Sequence, residues 1–278
     1  MTDVLKVEGL QVAYPGPQGP VSVVREVSFA LGREKLAVVG ESGSGKTTVG
    51  RALLRLLPRH AQVSAQTMRL GEVDLLAASD AQMQQLRGSR LSMVMQDPKY
   101  SLNPVMSVGL QMSEAVLRAT PMSRAACQDQ VEQLLDRVQI REPARVARQY
   151  PHQLSGGMGQ RVMLAMMLAQ HPQVLIADEP TSALDVSVRR EVLNLLDELV
   201  EAQGLSLLFI THDLHLVRRF CDRVLVMFAG RVVEALRADE LDHAQHPYTQ
   251  QLLSAVPSLQ RRRTTLPTLQ RDPAWGHA

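Results

Sequence analysis

The chain has 278 residues, 45% hydrophobic and 21% charged, with Lys+Arg 30 against Asp+Glu 28 and a formal net charge of +2. This composition supports a packed core rather than a disordered chain, and the interspersed, nearly balanced charge argues against a broad nucleic-acid-binding face. No apolar stretch approaches the ~18–20 residues of a membrane span, and Met1-Thr2-Asp3-Val4 lacks an export signal, so work at a membrane is expected to depend on another chain.

Leu5, Val7 and then Leu10, Val12 and Tyr14 alternate with polar neighbours. A turn cluster follows over Pro15–Pro20, and Val27, Phe29 and Leu31 resume the alternation, so an antiparallel β lobe is expected here. Leu36-Ala37-Val38-Val39 is wholly apolar, as in a strand buried on both faces of a parallel sheet. A glycine-rich turn comes next, and a helix is predicted from about Lys46. Leu91–Met95 reads as a strand ending at Gln96. The next sixty or so residues change character: helices are predicted over Gly109–Arg118 and Arg124–Val138 with no strand between, which makes this an inserted helical subdomain. Strand and helix then alternate through Val174–Ala177, Val188–Ala202, Leu205–Ile210 and Val224–Met227, the pattern of a parallel sheet with helices on both faces. From Asp239 the chain reads as helix and then as a Pro- and Arg-rich tail, with Arg261-Arg262-Arg263 a solvated run. Cys127 and Cys221 lie far apart, with neither metal spacing nor a disulfide framework, as expected of a reducing cytoplasm.

Two motifs carry chemistry on their own terms. Gly40-Glu41-Ser42-Gly43-Ser44-Gly45-Lys46-Thr47-Thr48 fits G-x-x-x-x-G-K-S/T between a predicted strand and a predicted helix. Its glycines let the backbone curl so that successive N–H groups face inward onto phosphate oxygens, and the helix N-terminus adds positive potential. Lys46 would sit between the β- and γ-phosphates, and the Thr47 hydroxyl would face Mg²⁺. Val174-Leu175-Ile176-Ala177-Asp178-Glu179 is a buried strand that ends in two carboxylates. Asp178 is placed to hold Mg²⁺ and Glu179 to accept a proton from an attacking water; in isolation, two acids starting a turn before Pro180 is the competing reading.

Leu154-Ser155-Gly156-Gly157-Met158-Gly159-Gln160-Arg161 resembles the signature of ABC ATPases, and the resemblance extends over most of the chain. Gln96 corresponds to that family's Q-loop, Ser182-Ala183-Leu184-Asp185 to its D-loop, His212 to its switch histidine and Tyr14 to the aromatic stacked on adenine. The resemblance implies an α/β fold: a P-loop NTPase (RecA-like) core with an N-terminal antiparallel β lobe and an inserted α-helical subdomain. The expected division is 1–95 with 161–238 as the core, 96–160 as the signature subdomain, and 239–278 as a C-terminal helix and tail. It implies ATP and Mg²⁺ as ligands, with Glu179, His212 and Gln96 catalytic. Thr47, Gln96 and Asp178 are expected at the metal, and Ser155, Gly156, Gly157 and Asp185 at the nucleotide of the opposite subunit in a head-to-tail dimer. Two residues keep an ordinary alternative: Tyr14 as a core tyrosine and His212 as a structural histidine. Asp242, His243 and His246 suggest a metal site or, more simply, a polar surface near a helix end. One departure is Gly159, where relatives with this phrase usually carry arginine.

The stretch Gln96–Pro104, the phrase Tyr150–Met158 and His246-Pro247-Tyr248-Thr249-Gln250-Gln251-Leu252-Leu253 resemble ATPases of oligopeptide, dipeptide and nickel importers. That likeness implies two membrane permeases, a second ATPase subunit and a substrate-binding protein as partners, no nucleic acid, and a place on the cytoplasmic face of the membrane. Without a C-terminal cysteine cluster, the chain is nearer the nickel or metal-chelate members. A soluble ABC ATPase acting on ribosomes or DNA is the alternative. It fits less well with a single phosphate loop and near-neutral charge.

Overall fold

The computed structural model describes residues 3–95, 102–182, 184–255, 272 and 275. The chain forms two compact units, Met1–Ala78 with Leu208–Ala278, and Ser79–Leu207.

The first unit opens with an antiparallel sheet. β1 (Leu5–Tyr14) pairs with β2 (Val21–Leu31) on one side and with β4 (Gln62–Ser64) and β5 (Thr67–Leu70) on the other, and β6 (Val73–Asp74) extends β5. The two-phase alternation of the sequence has a physical cause. The β1–β2 register shifts between Val7 and Leu10, and Gly9 within that shift has φ 61°, which glycine adopts at little cost. Leu5 and Val7 before the bulge, and Leu10 and Val12 after it, therefore all reach the core.

The same unit holds parallel strands. β3 (Lys35–Val39) pairs in parallel with β10 (Arg223–Phe228), on which β11 (Arg231–Arg237) folds back antiparallel. The end of β9 (Ser206–Ile210) joins β3 where Thr211 N–H donates to the Val38 carbonyl at 3.1 Å. α1 (Lys46–Leu53) follows β3, and α8 (Leu214–Phe220) follows β9. A 3-10 segment (Ala238–His243) and α9 (Pro247–Ala255) end the described run. The sequence reading anticipated helix here but not β11, whose residues are half-buried or exposed.

In the second unit, α2 (Asp80–Ser89) leads to β7 (Leu91–Val94), which pairs in parallel with β8 (Val174–Asp178). Every residue of both strands is buried, the mostly apolar run and also the polar Ser92 and Asp178. Between them, among the described residues, the chain is helical: α3 (Val108–Ala119), α4 (Arg124–Arg137), α5 (Pro143–Ala147) and α6 (Gly156–Leu168). α3 and α4 begin at Ser107 and Ser123, whose hydroxyls accept from Leu110 and Ala126 N–H, so each helix starts where a serine satisfies its first amides. α3, α4 and α6 pack on one another through Met112, Val116, Val131, Leu134 and Leu135 among others. α7 (Val186–Gln203) completes the unit. No helix of the described residues is long and apolar enough to cross a membrane.

Candidate functional site

The glycine-rich loop leaves the carboxyl end of β3 and closes on itself. Gly40, Gly43 and Gly45 have φ of 149°, 83° and 101°. Gly40 is pressed against β10, where an added Cβ would lie 2.2 Å from the Met227 carbonyl oxygen. Gly45 is pressed against β2, with 2.9 Å between such a Cβ and the Val23 carbonyl oxygen. Only glycine fits either place. Ser42 and Gly43 form an exposed tip, Ser44 and Gly45 are buried, and Thr47 and Thr48 are half-buried in the first turn of α1. Gly45 occupies the N-cap position and makes no side-chain cap, so the helix opens with backbone amides rather than a capping oxygen. Lys46 is buried, with Nζ donating to the carbonyls of Gly40 at 2.8 Å and Glu41 at 2.7 Å. The loop thus presents a buried cation and uncapped helix amides on a backbone curled by glycine, an arrangement that suits a polyphosphate.

His212 belongs to the same unit. It follows Thr211, whose amide joins β9 to Val38, so it lies at the same carboxyl end of the parallel strands as the glycine-rich loop. It is exposed, unlike a core histidine. Asp213 beside it caps α8, accepting from Leu216 N–H at 3.0 Å. Tyr14 ends β1 half-exposed, with its ring edge-on to His60 at 6.1 Å, so it is not the core tyrosine of the alternative reading.

In the second unit, β8 ends at Asp178, which is buried, and Glu179, half-buried with φ 47°. The Glu179 carbonyl accepts from Ser182 N–H and Oγ, which fixes the turn that follows. Asp185 ends that turn and caps α7: its Oδ1 accepts from Ser187 N–H, Val188 N–H and Ser187 Oγ. The Ser187 hydroxyl, and then the Val188 amide, hold its carboxyl below the usual aspartate range. Sequence reasoning had not given Asp185 this capping task.

Ser155 caps α6 in the same manner, accepting from Met158 N–H at 3.3 Å. Ser155 and Gly156 are exposed, and nothing lies within 4 Å of a Cβ placed on Gly156. Gly157 instead faces α7, where its Cβ would stand 3.0 Å from Val188 Cγ1 and 3.8 Å from Leu184 Cδ2. The unit therefore brings the Ser155–Gly157 turn against the chain that carries Asp185. Gly159 is buried, and Arg161 turns inward to Glu191 and to the Gln139 carbonyl.

Gln96 lies outside the described residues, as does Ala183. Just beyond the first of these, Gln111 pins the following loop: its Oε1 accepts from Asn103 N–H, and its Nε2 donates to the Asn103 and Met106 carbonyls. A buried polar residue on the apolar face of α3 was the available signal for it. Asp242 pairs with Arg218 and His246 Nδ1 accepts from Tyr248 N–H, so the polar-surface reading of that cluster describes it. Among the described residues no group of three potential metal ligands is present.

A family model described as ABC transporter matches residues 24–182. The glutathione import ATP-binding protein GsiA of Escherichia coli O1:K1 is 45% identical over 265 residues, covering 92% of this chain and 42% of the relative. Its counterpart in Salmonella typhimurium is 44% identical over 269 residues, with the same coverage of 92% and 42%. The chain thus spans well under half the length of these curated relatives. Among solved structures, a bacterial ABC transporter cassette described as dimeric matches with TM-score 0.71 and 25% identity, covering 84% of this chain and 98% of that one. The cbiO1 protein of Clostridium perfringens, described as part of the cbiONQ ABC transporter complex, matches with TM-score 0.70 and 28% identity over 87% and 92% of the two chains. With a family model matching more than half of its length and the fold of these cassettes, the chain belongs to the ABC transporter family.

Proposed function

We propose that this chain is the ATP-binding and ATP-hydrolysing subunit of an importer and drives uptake of small peptides through partner permeases. One observation carries the reading: a glycine-curled loop with buried Lys46 at the mouth of an uncapped helix. Inward amides and an ammonium bind the β- and γ-phosphates, and the half-exposed face of Tyr14 takes the adenine.

Thr47 and Asp178 offer hard oxygen donors of the kind Mg²⁺ prefers, with Gln96 as a third; the bound ion neutralises phosphate charge. Glu179 takes the proton of the attacking water, and His212 contacts the γ-phosphate. Ser155, Gly156 and Gly157, with Asp185 nearby, meet the nucleotide held by the opposite subunit. Ser155 and Gly156 are exposed and have room for it. ATP then favours closure because it touches both subunits only in the closed state. Residues 96–160 act as the helical signature subdomain that passes the movement to the permeases.

The named relatives favour the peptide over the nickel branch of this class, since both are glutathione import proteins. A second ATPase subunit, identical or homologous, two permeases and a substrate-binding protein complete the assembly on the cytoplasmic face of the membrane. The test is co-purification with membrane permeases, followed by uptake of labelled glutathione, dipeptide and nickel in reconstituted vesicles. ATP-dependent peptide uptake is expected. Recovery with ribosomes or DNA alone overturns the transport reading.

A further inference from the structure

The glycine-rich loop is held from outside by a residue 207 positions further along the chain. Tyr248, in the first turn of α9, is fully buried, and its hydroxyl accepts from Glu41 N–H at 3.0 Å. Its ring is seated between Phe228, at 4.6 Å between centroids, and Trp275, at 5.8 Å. The two neighbours also touch each other, edge to face at 5.7 Å, so the three rings make one cluster.

The backbone that delivers the ring is equally fixed. Glu234 of β11 accepts from Gln245 and His246 N–H with one carboxylate oxygen, His246 Nδ1 accepts from Tyr248 N–H, and Gln250 Nε2 donates to the Ala244 carbonyl. Strand β10 serves both sides of the contact. Its Met227 carbonyl walls Gly40, and its next residue, Phe228, packs on Tyr248.

The bond falls on a sensitive peptide. The carbonyl of the Gly40–Glu41 peptide accepts from Lys46 Nζ at 2.8 Å, while the N–H of the same peptide donates to Tyr248. A peptide unit is planar and turns as one piece. A rotation that releases the N–H also swings the carbonyl that helps seat the Lys46 ammonium.

We propose that Tyr248 is a positioning residue for nucleotide binding: its hydroxyl fixes the Gly40–Glu41 peptide, and with it Lys46, so the C-terminal helix sets the affinity of the loop for ATP and ADP. This rests on the reading that residues 40–48 hold the phosphates. It assigns a task to the His246–Thr249 phrase, which the nucleotide site otherwise leaves unused.

Tyr248→Phe removes one oxygen and keeps the ring. Loss of a single hydrogen bond to the loop is expected to weaken Mg-ATP and Mg-ADP binding about fivefold to tenfold by titration calorimetry. In the assembled transporter the KM for ATP should rise by a similar factor while kcat stays within about twofold. The thermal unfolding midpoint should fall by only about 2–4 °C, the cost of one hydrogen bond; a purely structural role would lower the midpoint and leave nucleotide affinity unchanged. Trp275 is the one tryptophan of the chain and stacks beside Tyr248. Its emission should respond to Mg-ATP in the parent and lose that response in the phenylalanine protein. Glu234→Ala removes the acceptor of Gln245 and His246 N–H, loosens the seat of α9 and should shift affinity in the same direction, which serves if Tyr248→Phe does not fold. Parent-like affinity and parent-like Trp275 response in either folded variant, alongside lost binding in Lys46→Ala, overturn the proposal. Unchanged binding in Lys46→Ala overturns the phosphate-loop reading and this proposal with it.

Discussion

Two helix N-termini in this molecule face an anion in the proposed cycle, and they are built in opposite ways. α1 opens at Gly45 in a left-handed conformation with no side-chain cap, where a glycine-curled loop with an exposed tip ends in buried Ser44, Gly45 and Lys46. α6 opens at Ser155, whose hydroxyl already satisfies Met158 N–H, on an exposed turn. The first has a glycine-curled backbone, a buried lysine and no side-chain cap, and in the proposed function it is a site within one chain. The second has a serine and an open Gly156 but no enclosing wall, and in the proposed function it is half of a site that a second chain would complete. Under the proposed function, this contrast is why a lone subunit would bind ATP yet turn it over poorly.

The largest expected effect tests whether the two ends meet on one nucleotide. Glu179→Gln should lower ATP turnover of the assembled protein by about 10²–10⁴-fold while binding persists, since it removes only a general base. With Mg-ATP the substituted chain and its mate should then elute together from a sizing column, and apart without it. Normal turnover would remove Glu179 from the chemistry. Lys46→Ala comes next. Loss of a charged donor to phosphate, about 3 kcal/mol, should weaken binding by the single chain on the order of 100-fold in calorimetric titration. The smallest effect separates the two ends most sharply. Ser155→Ala removes a cap and should cost about 1 kcal/mol of stability in urea unfolding. It should leave ATP affinity of the single chain alone and impair only ATP-dependent pairing. If it weakens single-chain binding as Lys46→Ala does, the contrast between a whole site and a half site is wrong.

Much of this was legible because local pattern and global fold agree. Leu36–Val39, Val174–Ala177 and Val224–Met227 are apolar throughout, and all lie buried in parallel strands. Serines ahead of periodic apolar runs mark the starts of α3, α4 and α6. What escaped was set by partners distant in sequence. β4 and β6 are short, and β4 is largely exposed; each exists because β1 or β5 offers an edge, not because its own residues demand a strand. α2 begins with a capping box, Ser79 with Gln82, that could have been read. Its non-helical break at Arg87 and Gly88 interrupts the periodicity that would have announced it. The Glu41–Tyr248 bond was invisible for a stronger reason: no local pattern encodes a contact across 207 positions. Likewise the glycines of the loop after β3 announce its shape, but not that Met227 and Val23 press on it from two other strands.

Glu179 bends the chain with φ 47°, a conformation that glycine reaches freely and a side chain adopts at some cost. A glycine there would relieve the backbone and remove the carboxylate in one exchange. Selection for stability alone would thus push this position toward silence, and screens for heat-resistant variants of the chain should be scored for hydrolysis before their winners are kept.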